Sequence, residues 1–233
     1  MSDPITVVFP LYDRMTQLDF TGPWQVLGRL PGAQVVAASL TGAPVEANGL
    51  VFDRLTALTA IPRCDVLCVP GGYGMIDVMA DNAFLAEIRR LGDGARAVTS
   101  VCTGSLILAA AGLLVGKRAA SHWAWRDQLA LFGAIPDAGR VVHDGRFVTG
   151  GGVTAGIDFA LTLAADLAGP AHAQAIQLGL EYAPAPPFDA GRPELAPPAV
   201  LAQVQAANAA ANRERVAAVE RIGAAFRARL QAA

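Results

Sequence analysis

The chain has 233 residues, 53% hydrophobic and 16% charged, with a formal net charge of −2. That length and balance predict one globular domain with a full core, and the near-neutral charge excludes the basic face that a nucleic-acid binder needs. No basic start leads into an apolar stretch at the N-terminus, so neither a signal peptide nor a membrane span is expected. Three cysteines suit a reducing, cytoplasmic setting better than a disulfide scaffold.

Ile5 to Pro10 is a nearly unbroken apolar run, suited to a strand buried on both faces. A polar loop with Asp13, Arg14, Gln17 and Asp19 follows. Thr21-Gly22-Pro23 is expected to open a helix to about Leu30, since Thr caps helices and Pro suits a first turn. Gln34 to Ser39 reads as a second strand, and residues 41–60 as irregular β-structure and turns around Asn48-Gly49. Asp65 to Val69 is a third buried strand, ending in Pro70-Gly71-Gly72-Tyr73-Gly74. Asp81 or Asn82 can cap the next helix, where Phe84, Leu85, Ile88 and Leu91 recur at helical spacing before Gly92.

A strand ending at Val101 and a helix over Leu106 to Leu114 come next. Arg118 to Ser121 reads as a brief strand, Trp123 to Phe132 as a helix, and Val141 to Thr149 as a hairpin turning at Asp144-Gly145. Gly150-Gly151-Gly152 leads into a helix from about Thr154 to Leu167. The alternation predicts an α/β sandwich with a mostly parallel sheet. Prolines exclude regular helix between Ala183 and Pro198. The Ala- and Arg-rich remainder reads as a helix with an apolar stripe of Val204, Ala211, Val216, Val219, Ile222 and Phe226.

The stretch with most chemical content is Ala97-Val98-Thr99-Ser100-Val101-Cys102-Thr103-Gly104-Ser105. A β-branched run stops at a cysteine and a helix follows at once, which is the layout of a nucleophile elbow, with Gly104 available for a tight turn. A helix start would favour the thiolate at Cys102; a buried core cysteine fits the same local sequence. In a parallel sheet, ligands bind beyond the carboxyl ends of the strands. Three segments converge there: the loop carrying Asp19, the Gly71-Gly72 turn, and Cys102 with Thr103. A thiolate needs a proton-transfer partner and donors for developing charge. Asp19 can be the first, and the N–H groups of Gly72 and Thr103 the second. Equally, Asp19 could satisfy helix N–H groups near Thr21, and Pro70-Gly71-Gly72 could be a plain turn.

His122, 20 residues after Cys102, could reach the same crevice, but a structural histidine is favoured there; His143 and His172 are expected on the surface. Cys64 and Cys68 are separated by roughly 13 Å of extended chain, too far for a shared ion or a disulfide. No cluster has zinc spacing. Gly72-Tyr73-Gly74-Met75-Ile76-Asp77 lacks the last Gly of a dinucleotide fingerprint, and Gly116-Lys117 has no phosphate-loop context. No metal and no nucleotide is expected.

Taken together, Asp65 to Gly74, Ser100-Val101-Cys102-Thr103-Gly104-Ser105, His122-Trp123 and Thr149 to Asp158 resemble the PfpI-like branch of the class I glutamine amidotransferase-like superfamily. Gln17 to Pro23 and Leu180 to Phe188 extend the likeness to about residue 190. Within that branch the chain is most similar to members that hydrate isonitriles. The resemblance implies a flavodoxin-like three-layer sandwich over residues 1–190. Residues 191–233 would be a proline-containing arm and a helix packing on that domain or on a dimer partner.

It also implies a homodimer that hydrates a small-molecule isonitrile, R–N≡C, to an N-substituted formamide without a cofactor. Cys102 would be the nucleophile and Asp19 the acid/base; Thr103 would shape the site, and Gly72 would face the nucleophile on the substrate side. Cys102-Thr103 departs from the Cys-His pair of PfpI-like proteases, and Asp19 from the Glu of several relatives, which lowers protease and deglycase readings. The Ala-rich tail, without basic excess, argues against the helix-turn-helix domain of related regulators. A competing expectation is a redox or stress sensor in which Cys102 oxidises without turning over a substrate.

Overall fold

The apolar runs become the centre of a seven-stranded sheet. The structure, a computed structural model, describes residues 4–232; the first three residues and Ala233 lie outside it. In chain order the elements are β1 (Ile5–Pro10), α1 (Gln17–Leu27), β2 (Ala33–Ser39), β3 (Val45–Ala47), β4 (Leu50–Phe52), β5 (Thr56–Ala57) and β6 (Val66–Val69). Then come α2 (Met75–Ala80), α3 (Asn82–Gly94), β7 (Ala97–Val101), α4 (Gly104–Ala110), β8 (Arg118–Ala119), a 3-10 helix (Arg126–Phe132), β9 (Ile135–Pro136), β10 (Val141–Asp144) and β11 (Phe147–Gly150). Helices α5 (Ala155–Ala168), α6 (Pro170–Gly179) and α7 (Pro198–Ala232) complete the chain.

The main sheet has the order β10-β11-β7-β6-β1-β2-β5. Its pairs are parallel except β10 with β11. Helices α1, α5 and α6 pack together in one layer, and α2, α3, α4 and α7 in another, so the fold is the expected three-layer sandwich with helices on both sides of the sheet. Strands covered on both faces have no solvent side to alternate with, and accordingly Val7, Val8, Phe9 and all of Val66 to Val69 are fully buried. Because β6 and β7 are parallel neighbours in mid-sheet, the loops that leave them open on the same edge.

Several elements differ from expectation. Helix α1 begins at Gln17, not Thr21: Thr16 has extended backbone and forms the boundary, while Thr21 Oγ1 donates back to the Gln17 carbonyl from inside the helix. Asp19 therefore sits in a first helical turn rather than a loop, and Pro23 lies within the helix. Helix α4 stops at Ala110, short of Leu114. The segment before Phe132 is a 3-10 helix that begins at Arg126, and α2 and α6 were not anticipated. Asp81 caps α3 as expected, accepting from the N–H groups of Ala83 and Phe84.

The α7 stripe is only half used. Val219 and Phe226 are buried, and the Phe226 ring lies 5.6 Å from that of Phe132, but Val204 and Ala211 are exposed. The buried residue beside Ala211 is the next one, Asn212, whose Oδ1 accepts from Arg215.

Candidate active site

β7 runs straight into Cys102, whose φ of +57° puts a β-substituted residue in the left-handed region. The surroundings hold it there. The Cys102 N–H donates to the carbonyls of Gly151 at 2.8 Å and Gly150 at 3.2 Å. Its own carbonyl accepts from Ser121 Oγ at 3.0 Å and Ser105 Oγ at 3.2 Å. The turn thus resides in the cysteine itself. Gly104 serves a different need from the one expected: a Cβ there would lie 2.1 Å from the Val69 carbonyl oxygen, so only glycine lets the elbow rest on the end of β6.

Asp19 reaches this point from α1 and is fully buried. Its Oδ2 accepts from the Gly71 N–H at 2.9 Å. Oδ1 has no hydrogen-bond partner among the described residues, and the group with which the carboxyl interacts most directly beyond Gly71 is the Cys102 thiol. Burial raises Asp19 from 3.8 to about 7, although the Gly71 N–H and the Cys102 thiol both favour its charged form. Burial also pushes the Cys102 thiol up, and the Asp19 carboxylate adds to that, while the N–H groups of Thr103 and Val153 act in the opposite sense. The expectation that a helix start would favour the thiolate fails here, since desolvation outweighs the two backbone donors. The two groups titrate as a buried pair that disfavours carrying two negative charges.

Thr103 links the elbow to the neighbouring loop. Its Oγ1 accepts from the Gly72 N–H at 2.9 Å and lies 3.3 Å from the Gly72 carbonyl oxygen, which it can donate to. The Gly72 N–H is therefore engaged, not a free donor as expected from sequence. Gly72 remains part of the site as a wall of the cavity that contains Cys102. That cavity, of about 170 Å³, is also lined by Thr103, Thr16, Tyr73, Trp125 and Val153. Tyr12 OH donates to the Pro70 carbonyl at 2.8 Å and steadies the start of the same loop.

The structure brings Asp19, Gly72, Cys102 and Thr103 together at one sheet edge, as the chain order suggested. His122 also enters, lining the Cys102 cavity. Its Nδ1 accepts from the Ala124 N–H at 3.3 Å, and burial lowers its pKa from 6.5, so a neutral ring with its proton on Nε2 is favoured. His143 and His172 are exposed. Sequence reasoning gave no role to the Val153 N–H, although Val153 lies in the Thr149 to Asp158 stretch that carries the family resemblance, nor to the hydroxyl of Ser121. Cys64 and Cys68 are free and buried; the Cys64 thiol points at the Leu91 carbonyl, 3.8 Å away. Among the described residues no three His, Cys, Asp or Glu side chains are grouped as a metal site.

Comparison with known proteins gives the chain's family and fold. The DJ-1/PfpI family profile matches residues 5–166. An isonitrile hydratase of Pseudomonas putida is 50% identical over 221 residues, covering 94% of this chain and 97% of the relative. A THiJ/PfpI family protein from Pseudomonas syringae has a crystal structure with TM-score 0.88 and 39% identity, covering 96% of this chain and 91% of that one. The crystal structure of Drosophila melanogaster DJ-1beta matches with TM-score 0.69 and 26% identity, over 78% of this chain and 100% of that one.

Proposed function

The chain belongs to the DJ-1/PfpI family, and from that premise we propose that it is an enzyme that hydrates isonitriles to N-substituted formamides without a cofactor. One observation carries the reading: a fully buried carboxyl, Asp19, held by the Gly71 N–H, stands against the Cys102 thiol, which itself lines a small pocket. The likeness to the Pseudomonas putida isonitrile hydratase supports the choice of substrate.

In the proposed mechanism the reactive state is the pair with a single shared proton. Sulfur attacks the terminal isonitrile carbon as Asp19 delivers the proton to that same carbon, giving the thioimidate R–N=CH–S–Cys102. The Asp19 carboxylate then takes a proton from water as the water oxygen bonds to the carbon, and passes that proton to nitrogen. The tetrahedral adduct, R–NH–CH(OH)–S–Cys102, collapses by expelling the sulfur as thiolate while its hydroxyl proton returns to Asp19. The product is R–NH–CHO, and the pair again holds one proton. A single carboxyl suffices because the carbon attacked is also the carbon protonated. The Thr103 and Val153 N–H groups would stabilise the sulfur's charge when it attacks and when it leaves.

A sensor with an easily oxidised cysteine calls for a thiol with lowered pKa, and burial works against that here. The proposal includes a homodimer acting in the cytoplasm, and light scattering of the purified protein tests the dimer. Formamide production from a panel of alkyl and aryl isonitriles tests the function. Turnover that is lost in Cys102→Ala is the expected result, and no turnover across the panel would overturn the reading.

A further inference from the structure

We propose that the cavity beside the Cys102 pocket is a subsite for a carboxylate carried by the substrate's R group, recognised by Arg126. The inference rests on the hydratase reading and names the substrate class for it. The second cavity, of about 240 Å³, shares His122 and Val153 with the Cys102 pocket. The two cavities are therefore neighbours, and a molecule with its isonitrile carbon at Cys102 would reach the second one by passing His122. The Cys102 pocket has no Lys or Arg in its wall, whereas the adjoining one has Arg126, Arg140 and Arg192 with Glu194 as its sole carboxylate.

The three arginines are not equivalent. Arg140 is committed to the protein: it pairs with Asp158 and donates to Thr154 Oγ1 at 3.2 Å. Arg192 is exposed on the arm before α7, two residues from Glu194. Arg126 has a side chain only 27% exposed, yet it makes no hydrogen bond among the described residues. Its one carboxylate neighbour, Asp127, is 3.9 Å away and 90% exposed, facing water rather than completing a fork.

Arg126 also opens the 3-10 helix, where a cation gains nothing from the backbone dipole. A partly desolvated guanidinium with unmatched donors, in the wall of a cavity that adjoins the Cys102 pocket at His122 and Val153, suits a planar anion bound in bidentate fashion. Even counting Glu194, the cavity keeps a net positive charge.

The test compares ω-isocyanoalkanoates of increasing chain length, each against its methyl ester, in the wild type, Arg126→Gln and Arg126→Lys. At the chain length that spans the two cavities, the wild type should prefer the carboxylate in kcat/KM. Arg126→Gln should cut the acid-to-ester ratio by about tenfold or more, the usual contribution of a charge-assisted hydrogen bond, and Arg126→Lys should keep part of it. Hydration of the esters reports in each variant that the protein is folded and active. Turnover without preference at any chain length, or an equal fall for acid and ester in Arg126→Gln, overturns the subsite alone. No turnover of any isonitrile overturns the hydratase reading, and the subsite falls with it.

Discussion

Gly71 donates its N–H to Asp19 Oδ2 at 2.9 Å while standing so close to that carboxyl that a Cβ on Gly71 would lie 2.9 Å from the same oxygen. The same Cβ would be 2.5 Å from the Thr103 nitrogen. The loop after β6 thus orients the acid and leaves no space around it. Gly71→Ala is expected to cost about 1–3 kcal/mol of stability through overpacking. By displacing Asp19 from Cys102 it should lower kcat about a hundredfold. A thermal melt and the formamide assay measure the two effects separately.

Asp19→Asn keeps the shape of the side chain but cannot move a proton, so kcat should fall by about 10²–10⁴-fold. The same variant should change how stability depends on pH. Asp19 holds its proton more tightly in the folded state, about 7 against an ordinary 3.8. Its contribution is therefore favourable below the unfolded value and is lost as pH rises through the folded one. The loss amounts to something on the order of 4 kcal/mol at most. Denaturant titrations should show Asp19→Asn gaining stability relative to the wild type between about pH 4 and about pH 7, and parallel curves would refute the assignment.

The pH dependence of kcat/KM follows from the pair rather than from either group. Two protons block the thiolate, so activity should rise as the first proton leaves near pH 7. It should then hold a plateau, because burial and the Asp19 charge push the second proton's departure far up. A rate that falls through pH 7 would contradict a singly protonated reactive state.

Phe226 anchors the used half of α7 against Phe132, and both are buried. Phe226→Ala should cost about 3–5 kcal/mol by leaving a cavity beneath the helix, read as a shift in the denaturation midpoint. Leu230→Ala, at an exposed position of the same helix, should change it little.

Much of the architecture was readable because fully buried strands leave an unmistakable mark: Val7-Val8-Phe9 and Val66 to Val69 have no polar alternation, which pointed to a mostly parallel sheet covered on both faces, though not to its strand order. The position of Cys102 was readable as well, since it lies directly past such a strand, whereas Asp19 sits in the first turn of α1. What escaped depended on contacts between distant segments. Pro23 suggested a helix beginning near Thr21, but tertiary packing extends the helix back to Gln17 and so fixes where Asp19 points. The thiol's proton affinity could not be judged from the helix that follows it, because the burial that governs it comes from several other parts of the fold. The same holds for Ser121, whose hydroxyl supports the Cys102 carbonyl from 19 residues away. On α7 the apolar spacing continued to Val204, which stays exposed.

The meeting of α1 with the loops after β6 and β7 at one sheet edge has a kinetic meaning. The bond from Gly71 to Asp19 joins residues 52 apart in sequence, and the bond from Gly72 to Thr103 joins residues 31 apart. The first needs β1 and β6 side by side and the second needs β6 and β7, and parallel pairings of that range are slow steps in chain collapse. During refolding, helical signal should therefore return before catalytic competence does, and the last event to complete would be the one that brings acid and thiol together.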